Sequence, residues 1–355
     1  MTRFVAMLVV LVACSSESEE GTATSTGTGG SGGGQPVERV IVFDASGEVR
    51  SLDFDLAIAA DASLGTPVAN VRYAAGTLYV VHPDRIALFD PASLEARGAI
   101  ELPDANARDI VVMDESTAYV TQFDDTAIAR IDLASRTISA EIELGSFADG
   151  NGLPDMNTMA RCGSQLFVQL QRRERQASEQ PVIAIVDTNT SEVQSIALEG
   201  PTPDYDMHPD CEAGRLFVVE PVPVMIGGGG IEELDIAALQ SLGFFLSDAD
   251  AGGETGGFLF TAPGEGWLII HTEFGSGPSS HLGRFPGTPA ALWDTFQRVD
   301  RIAFDALSGE LFFPDPCTDC VHPAGLVAFD AMSGELLTET PVDVGFPPTG
   351  VVVAR

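Results

Sequence analysis

The sequence contains no lysine. Its 18 basic residues are all Arg, set against 52 Asp and Glu, and the formal charge is −34. Without Lys there is no amine for a Schiff base, no anchor for pyridoxal phosphate and no P-loop lysine. A chain this acidic repels the phosphates of nucleic acids, so no nucleic acid is expected as a partner. Nucleophile and metalloprotease signatures are missing too: the one Gly-x-Ser-x-Gly match, Gly29 to Gly33, falls in a Ser/Gly run with no strand before it and makes no nucleophile elbow, and there is no His-Glu-x-x-His. The run of glycines at 227–230 is followed by no Lys, so it reads as a loop and not as a phosphate cradle. Beyond the N-terminus no apolar stretch approaches the ~20 residues a membrane helix needs.

What is present begins with a targeting segment. Arg3 supplies a short positive region, and Phe4 to Ala13 is an apolar run of ten residues, too short to span a bilayer. It closes with Leu11-Val12-Ala13-Cys14. This resembles the lipobox of bacterial lipoproteins, although an ordinary secretory signal with a coincidental Cys would look similar. The resemblance implies a signal peptide over residues 1–13, cleavage before Cys14, and acylation of that Cys. Residues 14–36 are rich in Ser, Gly, Thr and Glu and hold no aromatic residue. Such a segment buries too little surface to offset its ordering entropy and reads as a tether, with a reach of roughly 25 Å. The expected location is the cell envelope, with the chain anchored to a membrane on the extracytoplasmic side.

Residues 37–355 repeat. One unit is an apolar strand ending in Asp, then a turn with Ser or Thr, then a second strand. It occurs around Asp44, Asp90, Asp132, Asp187 and Asp330. An Asp at the head of a turn accepts from backbone N–H groups two residues on, so these five are structural. A second unit, a turn and then a strand of aromatic and β-branched residues, starts near 76, 116, 164, 214, 266 and 309. Helical periodicity competes only over Ile231 to Leu242. A period of about 40–50 residues with four strands per unit is the signature of propeller blades. The last strand-like segment, Gly350 to Arg355, and the first, Glu38 to Leu56, would together make a joint blade one strand short. The fold class is therefore all-β: a propeller, with seven four-stranded blades favoured over six or eight, closed by pairing of the terminal strands.

Tyr119-Val-Thr-Gln-Phe-Asp-Asp-Thr-Ala-Ile-Ala-Arg-Ile-Asp132, with looser matches at Tyr79-Val-Val and Pro348-Thr-Gly-Val-Val-Val, resembles the YVTN-type, YncE-like surface propellers of prokaryotes. Gln122 stands where that family usually has Asn. These are strand and hairpin motifs, so the resemblance implies architecture and says little about activity.

The long connections should share one face of a propeller, as for a binding face on a rigid scaffold. They fall at 145–156, 171–180, 221–236, 272–289 and 314–325. That face collects Asp149, Asp155, Asp204, Asp206, Glu220, Glu273, Asp315 and Asp319. They read either as a solvated acidic surface or as a site for a cation such as Ca²⁺ or for a basic partner. Asn157, Asp206, His208, His271 and Glu273 are the candidate ligand- or cation-binding residues. The segments 149–155 and 248–254 have some Ca²⁺-loop character without the full spacing.

With Cys14 assigned to lipid, four Cys remain. Cys162 and Cys211 occupy equivalent places in consecutive repeats, which makes them neighbours and predicts a disulfide. Cys317 and Cys320 most simply close a small loop, with a redox pair or half a metal site with His322 as alternatives.

The chain thus reads as a tethered, non-enzymatic propeller that binds a protein or small-molecule ligand on its loop-rich acidic face. The alternative is a metal-assisted hydrolase or lactonase with Asn70, Asn157, Asp206 and His208 converging on the channel.

Overall fold

The computed structural model describes residues 38–355, apart from 66, 173–179, 202, 223–227, 273–278, 287–291, 300 and 318–321. One compact unit spans Pro36–Arg355; the other, Met1–Gln35, lies outside the described residues, and with it the signal peptide, Cys14 and the tether.

Seven antiparallel sheets form seven blades, and the fold is a β-propeller. The inner strands, in ring order, are Gly350–Ala354, Asn70–Ala74, Ala107–Val112, Met156–Cys162, Asp204–Asp210, Glu254–Ala262 and Ala303–Asp305. Each neighbours the next, and Ala303–Asp305 neighbours Gly350–Ala354, which closes the ring. The closing blade pairs Val40 with Val353 and Phe43 with Gly350, so the chain's two ends share one sheet. That blade is complete, because Arg39–Phe43, Glu48–Leu52 and Ile58–Ser63 supply three strands where the sequence suggested two. The short blade is the seventh, in which Leu326–Val342 and Phe329–Leu336 bridges replace a regular outer strand.

Each sheet is covered on both faces, so its buried residues do not alternate simply with exposed ones. Ile231 packs toward the sixth blade and Leu234 toward the fourth, both fully buried. That three-residue spacing imitates a helix. The structure has strands instead, Gly230–Asp235 and Gln240–Ser247, with two bulges between them. The core is a ring of inter-blade clusters. Tyr119, Ile128, Leu144, Leu166, Val168 and Ala184 fill the seam between the third and fourth blades. Burying one such side chain stabilises by roughly 1.5–3 kcal/mol.

The turn aspartates behave as expected. Asp90 Oδ1 accepts from the backbone N–H groups of Ala92 and Ser93 at 2.9 Å, and Asp330 Oδ1 does the same for Met332 and Ser333. Cys162 and Cys211 form the expected disulfide between the fourth and fifth blades, with Cα atoms 5.5 Å apart. Cys317 is also disulfide-bonded, and its expected partner Cys320 lies outside the described residues.

Candidate functional site: the axis of the ring

Every inner strand begins at the loop-rich end of the propeller and finishes at the end carrying tight turns of two to four residues, such as 75–76 and 211–214. Two of the long stretches expected at the loop-rich end contain strands, Gly230–Asp235 and Ser280–Phe285. The connection from Phe285 to Trp293 belongs to the opposite end.

At the axis, charged side chains from several blades meet. Arg72 donates from Nε and Nη2 to the two oxygens of Asp109 at 2.8 and 2.7 Å, and from Nη2 to Asp206 Oδ1 at 2.6 Å. Asp109 is fully buried and also accepts from Asn70 Nδ2 and from the backbone N–H groups of Ile110 and Met159. Arg301 Nη1 donates to Asn70 Oδ1 at 2.5 Å. Burial alone would lower the Arg72 pKa, but Asp109 and Asp206 outweigh it and raise the pKa. Burial likewise works against the Asp206 carboxylate, yet Arg72 and then Arg301 hold its pKa well below the usual range.

His208 stacks edge-on against Phe258, with ring centroids 4.4 Å apart. Burial pushes its pKa down to about 4 against the pull of Asp206, so the imidazole is neutral at neutral pH. It pairs with Phe217 near the tight-turn end, whereas Asp204 pairs with Val219 near the loop-rich end.

The four described candidate residues fall at two levels of the channel. Asn157 lies at the loop-rich end, where its Nδ2 donates to Asp204 Oδ1 at 3.0 Å and to Gln169 Oε1 at 3.3 Å. His271 is at the same end, with Nδ1 2.9 Å from Ser280 Oγ, and burial followed by Arg298 lowers its pKa to about 3. A Cβ on Gly256 would sit 2.6 Å from His271 Nε2, so only glycine fits beside that ring. Asp206 and His208 line the lower channel, and Glu273 lies outside the described residues.

The acidic face is also not the solvated surface that loop positions suggest. Asp149, Asp155, Glu220 and Asp315 are buried, while Glu273 and Asp319 lie outside the described residues. The reason is the backbone: long connections present N–H groups that need acceptors. Asp315 accepts from Cys317 N and from Trp293 Nε1, and Asp149 accepts from Asn151 N. Glu232, also fully buried, accepts from the backbone N–H groups of Glu199 and Gly200. In each of the two Ca²⁺-like segments one carboxylate oxygen is used in the same way, Asp149 Oδ1 by Asn151 N and Asp248 Oδ1 by the N–H and the hydroxyl of Thr255. Among the described residues no three His, Cys, Asp or Glu side chains are grouped to hold a metal.

Sequence reading missed Arg72, Asp109 and Arg301. A signal existed for the first two. Arg72, Asp109 and Asp206 are each the third residue of an inner strand, so a repeat alignment puts all three at one height on the axis.

No protein-family model and no curated protein matches the sequence. Solved structures do match. One, assigned as a 6-phosphogluconolactonase from Bacteroides fragilis, has a TM-score of 0.62 at 10% identity, covering 90% of this chain and 98% of its own. A Lactobacillus plantarum protein has a TM-score of 0.61 at 15% identity, covering 90% and 99%. Hydrazine synthase of Kuenenia stuttgartiensis has a TM-score of 0.58 at 13% identity, covering 79% and 92%. At such identities the likeness is one of fold.

Proposed function

We propose that the chain is a lipid-tethered, extracytoplasmic propeller of the cell envelope that binds a protein or small-molecule ligand on its loop-rich face without transforming it. The observation that carries this is the division of labour between the two ends. One end carries the turns of two to four residues that leave the inner strands; the other carries the long connections at 145–155 and 171–181, and among the described residues of that end buried carboxylates accept from connection N–H groups, Glu232 from Glu199 and Gly200 and Asp315 from Cys317. Loops fixed in this way are suited to recognition, because little ordering is left to offset on binding. The tether rests on Leu11-Val12-Ala13-Cys14.

The lactonase alternative draws support from the shared fold with the Bacteroides fragilis protein. It needs a metal among Asn70, Asn157, Asp206 and His208. Arg72 already supplies the positive charge between Asp109 and Asp206, and Asn70 Oδ1 accepts from Arg301, so Asp206 Oδ1 and Asn70 Oδ1 are taken by arginines.

A photo-crosslinking residue placed singly at Asp104 or Ser146 on the loop-rich face, or at Asn189 on the turn face, tests the reading in intact cells. A discrete adduct in the membrane fraction is expected from the first two and not from Asn189. Adducts from Asn189 alone, or a Cys14→Ser chain that still fractionates with membranes, would overturn it.

A further inference from the structure

Below the axial ion network, toward the tight-turn end, lies a cavity of about 410 Å³ between the inner strands of the fifth, sixth and seventh blades. Its size is that of a small-molecule site. Phe258 and Phe304 wall it, with Pro209 beside them, and Asp206, His208 and Arg301 border it. It is distinct from the loop-rich face and owes nothing to the connections there.

The polar groups at this cavity are incompletely used. Arg301 carries five N–H donors in a planar fork. Among the described residues it makes one hydrogen bond, Nη1 to Asn70, and no ion pair. None of its nitrogens is buried without a partner, so the unused ones face the solvent-filled space. Asp206 gives Oδ1 to Arg72, and its second oxygen has no partner among the described residues. The two side chains border the same cavity without forming an ion pair, although Arg301 is close enough to depress the Asp206 pKa. An arginine without an acidic partner is conspicuous in a chain with 52 acidic residues and 18 basic ones. His208 adds no charge there.

A ligand that completes this arrangement must offer an acceptor pair to Arg301, a charged donor to Asp206 and a flat apolar body to the phenylalanines. Arg takes a carboxylate in bidentate fashion, and an ammonium is the strongest donor to a carboxylate. We propose that this cavity binds a free aromatic α-amino acid, with its carboxylate on Arg301, its ammonium on Asp206 and its ring between Phe258 and Phe304. Zwitterion and site are each balanced in charge, since Arg72 and Arg301 offset Asp109 and Asp206, so the acidic exterior neither drives nor prevents entry.

Calorimetric titration of the purified full-length chain in detergent tests this with L-phenylalanine, 3-phenyllactate and phenethylamine. L-phenylalanine is expected to bind saturably, phenyllactate at least about tenfold more weakly, and phenethylamine, which lacks the carboxylate, not measurably. Arg301→Gln should abolish binding of both L-phenylalanine and phenyllactate. Because that change also disturbs Asn70, Asp206→Asn is the second arm. It keeps an oxygen for Arg72 and should make L-phenylalanine and phenyllactate bind alike. Absence of saturable L-phenylalanine binding up to about 10 mM overturns the proposal. So does equal binding of phenethylamine, or an Asp206→Asn chain that keeps the full preference for the amino acid. Loop-face crosslinking is read separately, so the two readings fail independently.

Discussion

Asp248 is 4% exposed, and burial, with Glu254 nearby, pushes its carboxyl pKa up to about 6 from an ordinary 3.8. Its Oδ1 accepts from Thr255, while Oδ2 is buried without a hydrogen-bond partner. A Cβ on Gly229 would come within 2.2 Å of that oxygen, so glycine there is required by the carboxyl. Because the folded state holds this proton more tightly than the unfolded chain, the stabilisation is fully present below about pH 4. It is lost as the pH rises through about 6. Asp248→Asn keeps the acceptor for Thr255 and never ionises. The variant should have a flatter urea midpoint between pH 4 and 7 than the parent. At neutral pH it should be more stable by about 1–2 kcal/mol, allowing for screening. A midpoint that falls with pH as steeply as in the parent would place the titration elsewhere.

Between neighbouring elements the clearest link is covalent. The Cys162–Cys211 bond joins the ends of the fourth and fifth inner strands at the tight-turn end, across a sequence separation of 49. Replacing both cysteines by Ser should cost about 2–4 kcal/mol in denaturant unfolding. The loss should be confined to non-reducing conditions, since reductant already opens the bond in the parent. This pairing was legible because it depends on repeat register alone, as do the turn aspartates and the blade count. The Ile231–Leu242 segment misled because residues on opposite faces of a doubly covered sheet are all buried, which erases the two-residue period. The axial network was only half legible. Arg72, Asp109 and Asp206 share a register position, but Arg301 precedes its strand and no repeat position marks it. The acids of the loops were misplaced for a different reason. Sequence shows how many carboxylates a loop has, and only the folded backbone shows how many N–H groups require them.

For the whole molecule, closure is the decisive feature. Gly350–Ala354 is the inner strand of the first blade, and its residues pair one for one with Arg39–Phe43. Val351, Val40 and Val42 join Phe312 and Leu326 of the seventh blade in one cluster. Deleting residues 350–355 removes the innermost strand of that sheet and exposes the hydrogen-bonding edge of Arg39–Phe43, so the truncated chain should lose cooperative unfolding and associate through that edge. Size-exclusion chromatography with far-ultraviolet circular dichroism checks this. A truncated chain that remains monomeric and melts like the parent would show that the last strand is dispensable. The same pairing has a temporal side. During synthesis the first three strands of the closing blade emerge at the start, and their partner emerges some 300 residues later. At about 5–20 residues per second they wait tens of seconds with one edge unsatisfied. A chain cut short by a premature stop would never satisfy it, so proteases that recognise exposed strands could tell interrupted copies from finished ones without any dedicated tag.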